Sequence, residues 1–216
     1  MDFAKLFQSI EDAVYEVMVW ILLLPKTLLR SMFQPKWAIK YVHNEWEKKP
    51  DERFDEYLSP VLLWLMVAVL PLSLFTILGN TDIQSLDDVG KAFKDGLLSQ
   101  ALYALIIPFT YIVWMEWVNK RPVKKSTLKR SFYMHCYALA PAQFLFGLSA
   151  FMTIVSDIFY IFSFISIILL AIYEAFVFQS ELEISYKKAF LYAIAPQVAL
   201  VLLFILLIII VVATGF

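Results

Sequence analysis

Four stretches of this chain hold no Asp, Glu, Lys or Arg over a length that crosses a bilayer: Pro60 to Leu78, Leu97 to Met115, Ser131 to Ser156 and Ala189 to Phe216. A helix needs about 20 residues to traverse roughly 30 Å of hydrocarbon. A fifth run, Ile158 to Ser180, is interrupted only by Glu174. With 61% hydrophobic and 17% charged residues, the chain is too apolar for a soluble core to absorb. The expected fold is all-α: an integral membrane helical bundle of five transmembrane helices over 57–216. Amphipathic cytoplasmic helices precede it over 1–56.

Orientation follows from the distribution of basic residues. The connector at 119–130, NKRPVKKSTLKR, holds six lysines and arginines and no acid, whereas residues 79–96 hold four aspartates against two lysines. The positive-inside rule places the first segment in the cytoplasm. Parity then puts the N-terminus inside, 79–96 outside, a tight outer turn near Asp157, 181–188 inside and the C-terminus on the opposite side. The first residues carry acids where a secretory signal would carry bases, so no export signal is expected. Cys136 is the single cysteine and excludes an intrachain disulfide. A net charge of -1 gives no reason to expect nucleic acid as a partner.

Within 3–33, Phe3, Leu6, Phe7, Ile10, Val14, Val17, Ile21, Leu24, Leu28 and Met32 recur at helical spacing, with Thr27 and Arg30 off that stripe. This is the pattern of a helix lying in the membrane interface, with a re-entrant or spanning segment over 13–33 as the alternative. A second helix is expected from Pro35, since proline suits a first turn, with Pro50 ending it. Trp37, Tyr41 and Trp46 then pack on headgroups or on the underside of the bundle. The mixed charges at 45–56 read as a solvated face, or functionally as a docking surface.

Tyr-Ala-x-Ala-Pro occurs twice, at Tyr137 to Pro141 and at Tyr192 to Pro196. Each proline lacks the N–H that would bond the tyrosine carbonyl four residues back. The flanking alanines let a neighbouring helix approach, and Gln143 and Gln197 are candidate donors. Upstream, Glu116 and Glu174 each fall near the end of the preceding run. The second and third spans and the fourth and fifth therefore read as two copies of one hairpin, related by an axis along the membrane normal. The alternative is two similar kinked packing motifs. Both acids are expected to anchor at the interface against the basic connector, Glu116 through Lys120 at i,i+4, with a partly desolvated Glu174 facing the bundle interior as the functional alternative.

The acidic-aromatic-proline entry FDEYLSP (54–60) and the segment CYALAPAQFLF (136–146) resemble the Yip1 family. The resemblance implies a cytoplasmic N-terminal region and five spans. Asp55, Tyr57 and Pro60 correspond to the family's Asp-Leu-Tyr-Gly-Pro type entry motif, and Tyr137 with Pro141 to its Tyr-Gly-Tyr type motif. Leu58-Ser59 and Ala138 stand where those motifs carry glycine. Eukaryotic members are similar to adaptors that bind small GTPases, which implies a non-enzymatic role.

Catalytic signatures for acyl transfer, zinc hydrolysis or phosphate binding are absent from the sequence, and five glycines leave little for a cofactor-cradling loop. No enzyme, metal or cofactor is expected. Glu116, Glu174, His135, Gln143 and Gln197 form the candidate intramembrane polar set. Two functions remain: a scaffold or adaptor presenting cytoplasmic helices, or a small oligomeric channel or transporter for ions, protons or lipid headgroups. The expected partners are the lipid bilayer, further copies of the chain, and membrane or cytoplasmic proteins.

Overall fold

The computed structural model describes residues 3–79, 86–120 and 124–214. Seven α-helices follow one another among these: α1 (Phe3–Phe33), α2 (Pro35–Glu47), α3 (Pro60–Gly79), α4 (Leu86–Asn119), α5 (Lys125–Met152), α6 (Tyr160–Leu182) and α7 (Tyr186–Thr214). No strand occurs among the described residues. α1 and α2 begin where the sequence places them, with Pro35 in the first turn of α2. α2 stops at Glu47, and Pro50 opens a 3-10 turn over Pro50–Glu52 rather than closing the helix. α4 begins at Leu86, inside the segment expected as an outer loop, so the connection after α3 is shorter than expected.

Among the described residues, three helical segments are long and apolar enough to cross a membrane: Gln100–Asn119, Asp157–Leu182 and Tyr186–Val212. A shorter apolar segment, Pro60–Phe75, lies in α3. α5 sits at the centre and packs against α3 and α6 above all, and also against α1, α2 and α4. That position explains its composition. A helix enclosed by protein can carry His135, Gln143 and Ser149 inside, where a lipid-facing helix cannot. α7 is the converse: from Val198 outward its described side chains are largely exposed and almost wholly apolar.

Prolines kink four of the five helices from α3 onward, at Pro71, Pro108, Pro141 and Pro196. Pro108 frees the Ala104 carbonyl, which accepts from the Trp64 indole N–H of α3 at 2.8 Å. At the other kink of this pair of helices, α5 comes so close to Pro71 that only glycine fits. A Cβ on Gly147 would lie 2.7 Å from Pro71 Cβ. The α5–α6 hairpin closes at its turn through the Ser149 hydroxyl, which donates to Phe159 C=O at 2.6 Å and lies 2.8 Å from Ser163 Oγ.

α1 is less regular than its apolar stripe suggests. The side chains of Phe3, Leu6, Phe7 and Ile10 lie outside the described residues. Val14, Val17 and Ile21 are exposed, but so are Tyr15, Met18 and Leu22 on other faces. Contact with the bundle is made by the last third of the helix. There Thr27, expected off the packed stripe, is fully buried beside Leu28.

Candidate functional site

Two polar constellations are built where the N-terminal helices meet the bundle and where α5 meets α6. The first is a clamp on the segment that enters α3. α1 grips it along one edge: Lys26 Nζ donates to Glu56 C=O at 3.1 Å, the Arg30 guanidinium donates to the Tyr57 hydroxyl, and Thr27 Oγ1 accepts from Leu58 N–H at 3.0 Å. α5 grips the other edge, where the Tyr137 hydroxyl donates to Leu58 C=O at 2.6 Å. Both backbone polar groups of the buried residue Leu58 are thus satisfied by side chains from two different helices.

Rings fill the space around these bonds. Trp37 and Tyr41 of α2 stack at 5.1 Å, and Tyr57 meets their edges at 4.7 and 5.1 Å. Phe54 contacts Tyr41 and Tyr133. Edge-to-face packing of this kind adds to the burial of apolar area. Phe54 itself has φ 63, a left-handed conformation uncommon outside glycine. Glu45 helps to hold it there: the carboxylate, 2% exposed, accepts from Phe54 N–H at 2.7 Å and pairs with Lys48 at 2.5 Å. One member of the charged 45–56 segment is therefore buried, contrary to a wholly solvated face. Burial first, and then the Glu45 carboxylate beside it, pushes the Tyr41 phenol well above its ordinary value. The Glu45 hydrogen bond raises Lys48 in turn.

The two family-like segments therefore meet. Tyr57 and Pro60 are buried at the clamp and Asp55 is exposed on its outer side. Tyr137 crosses from α5 to the entry segment, while Pro141 lies one turn further along α5.

The second constellation lies between α5 and α6. His135 Nδ1 is 2.7 Å from Glu174 Oε2, and both side chains are 0% exposed. Tyr111 of α4 stands beside His135, with ring centroids 5.8 Å apart. Its hydroxyl donates to the Ala193 carbonyl at 3.2 Å and accepts from Gln197 Nε2 at 2.9 Å. Tyr111 thus bonds α7 at the carbonyl next to the Tyr192 carbonyl that Pro196 leaves without an N–H, and Gln197 acts through that tyrosine. Gln143 is buried in α5.

Glu174 is not an interface anchor. The acid that meets the basic connector is Glu181, which pairs with Arg130 at 3.1 Å and with His43 at 2.9 Å. Glu116 is half-buried beside a cavity of about 30 Å³ that Arg130 and Glu181 also line. No ion pair joins it to Lys120 among the described residues. α4 ends at Asn119, and Lys120, with φ 52, has left helical geometry although its N–H still bonds the Glu116 carbonyl at 3.1 Å. The two acids occupy unlike environments, and so do the two tyrosines: Tyr137 is fully buried and Tyr192 half-buried.

Tyr111, Trp64, Thr27, Glu45 and Glu181 escaped the sequence reading. Trp64 and Tyr111 carried a signal, since a polar ring atom deep in an apolar run must find a partner. The His135–Glu174 contact had one as well. In an antiparallel hairpin, residues at comparable distances from the turn face each other, and the Thr153–Phe159 turn is flanked in that way by this pair and by Arg130 with Glu181.

Neither curated proteins nor solved structures yield a match to this chain. A family model, the Yip1 domain, matches residues 45–209, from the buried Glu45 to near the end of α7. That match spans most of the sequence, and the chain belongs to the Yip1 family of membrane proteins.

Proposed function

We propose that the chain is a non-enzymatic membrane scaffold or adaptor whose bundle (57–216) holds the N-terminal region (1–56) in a fixed pose and offers it to protein partners. The clamp is the observation that carries this reading. A flexible tether would need none of its bonds, whereas a presented surface needs a defined orientation. Lys26, Thr27 and Arg30 from one side and Tyr137 from the other supply it. The exposed side of that region is mixed in charge, with Glu47, Asp51, Glu52, Asp55 and Glu56 beside Lys48 and Lys49, and its acidic excess at Asp55 and Glu56 suits a basic partner surface.

In this reading α3 to α7 all cross the bilayer, α5 shielded from lipid by its neighbours, and α1 lies along the cytoplasmic interface. The basic connector before α5 is cytoplasmic and the C-terminus lies on the opposite side. Cysteines placed at Lys124 and Asp88 in a Cys136→Ala background should label from opposite sides, and same-side labelling would end the five-span topology. The role itself is tested by purification and reconstitution. The adaptor reading expects proteins, or further copies of the chain, that co-purify with the native chain and are lost in Asp55→Lys/Glu56→Lys, and liposomes that stay tight.

A second reading, a conduit for protons, ions or lipid headgroups, draws on the His135–Glu174 pair. Buried titratable pairs inside membrane helices are a recurrent device of proton and ion pathways. It expects pH-dependent flux in the liposomes that disappears in Glu174→Gln. Tight liposomes with the native chain would remove it.

A further inference from the structure

A cavity of about 390 Å³ opens between α2 and the end of α6. Its α2 wall carries Lys36, Lys40 and His43, which recur at i, i+4 and i+7 and so share one face. Its α6 wall carries Phe176, Gln179 and Ser180, again one face. Two ammonium groups, an amide and a hydroxyl therefore converge on one space. Lys36 Nζ stands 5.6 Å from the centre of the Phe176 ring, and neither Lys36 nor Lys40 has a carboxylate partner among the described residues. The nearest acid on α6, Glu181, is already engaged by His43 and Arg130. The two lysines thus stand without a carboxylate of their own among the described residues, the acid at the rim being shared by His43 and Arg130.

What lies next to the cavity selects the kind of anion. α6 is one of the segments long and apolar enough to span a membrane, and the cavity sits where that segment ends at Leu182. Back along the face that bears Gln179 and Phe176 come Ile172, Ile168, Ile165 and Ile161, at helical spacing. Ile161, Ile165 and Ile168 are exposed. A polar, basic cup continues into an apolar track that runs into the bilayer, which is the outline of one phospholipid.

The geometry points to the α2–α6 cavity as a binding site for an anionic phospholipid, its phosphate-bearing headgroup held by Lys36, Lys40, Gln179 and Ser180 and its acyl chains lying along Ile161 to Ile172 of α6. The shared chemistry is a phosphate group, and the isoleucine track favours the lipid over a free ion. This site stands independently of the adaptor role.

Native mass spectrometry of the full chain in mild detergent, with an equimolar mixture of phosphatidic acid and phosphatidylcholine, reads the preference directly. Phosphatidic acid should be retained over phosphatidylcholine. An interfacial lysine near an anionic lipid contributes roughly fivefold, so Lys36→Gln/Lys40→Gln should weaken retention by about 30-fold. Lys36→Arg/Lys40→Arg should restore it. Lys187→Gln/Lys188→Gln removes the same charge from another exposed basic pair and should leave retention within about twofold of native. Equal retention in the Lys36/Lys40 variant, or equal loss in the Lys187/Lys188 variant, would overturn the site. Millimolar inorganic phosphate distinguishes the sources: full displacement of the lipid by it would assign the cup to a soluble anion and overturn the lipid assignment.

Discussion

Tyr137→Phe deletes one oxygen from the centre of the bundle and should unlatch a segment that the chain passes through far earlier. The lost bond leaves the Leu58 carbonyl, on a residue 3% exposed, without its donor. A buried polar group stripped of its partner costs about 1–3 kcal/mol. Taking about 2 kcal/mol, the opened state of the entry segment gains roughly 30-fold in population. Arg53 reports that opening, because its guanidinium is held by the Lys48 and Trp46 carbonyls, each at 3.0 Å. When reclosing outpaces cleavage, trypsin cuts in proportion to the open population, so cleavage after Arg53 should accelerate by about the same factor. Thr27→Val removes the acceptor for Leu58 N–H and should act in the same direction. The two changes together should fall short of the product of their separate effects, since both act on the one residue Leu58. Tyr192→Phe is the control: the Tyr192 hydroxyl makes no hydrogen bond among the described residues. Cleavage of Tyr137→Phe at the native rate, or equal acceleration by Tyr192→Phe, would refute the clamp.

Further expectations follow from packing and titration. Gly147→Ala should cost about 1–3 kcal/mol in a detergent-unfolding titration, because its Cβ would meet Pro71 at 2.7 and 3.0 Å. Gly90→Ala, with nothing within 4 Å, should be neutral or stabilise by about 0.5–1 kcal/mol. For Tyr41, the folded chain keeps a phenol proton that the unfolded chain gives up near its ordinary value of 10.0. The resulting stability is whole below that pH and is lost as pH rises through the higher folded value. Tyr41→Phe should flatten the alkaline decline measured by circular dichroism. Removing His135 alone should cost about 3–5 kcal/mol, while replacing His135 and Glu174 together with apolar residues of similar volume should cost less, because no buried carboxyl is left without its partner.

The helices were legible because their determinants are local. Uncharged runs, Pro35 and Pro60 at helix starts and the short breaks after Thr153 and Leu182 are all written into consecutive residues. The clamp was only half legible. Asp55, Tyr57, Pro60 and Tyr137 stand out as motif residues, but nothing in their spacing says that they meet. Thr27 was misplaced for a physical reason: α1 has no single environment, its stripe residues Val14, Val17 and Ile21 being exposed while Leu28 is buried together with Thr27. Glu45 hid beside eight other charged residues at 47–56, and only the fold distinguishes the one acid that turns inward. Tertiary pairing decides such cases, and a side chain's own type carries little of that information.

The repeated Tyr-Ala-x-Ala-Pro shows how far a shared motif constrains shared use. What the two copies have in common is a backbone device, a kink with small residues around it, and that device is present in both α5 and α7. What the tyrosine does depends on the helix that carries it. In α5, walled in by five other helices, Tyr137 is forced to spend its hydroxyl on protein and finds the entry segment. In α7, whose outer half leaves the bundle, Tyr192 stays half-buried, and Tyr111 of α4 bonds the neighbouring Ala193 carbonyl. Glu116 and Glu174 divide in the same way, one at a small polar cavity and one sealed against His135. Central and peripheral positions in the bundle therefore give one local pattern two settings, a latch on the N-terminal region in α5 and a half-buried tyrosine in α7, and any mutational test of the repeat has to treat its copies as different sites.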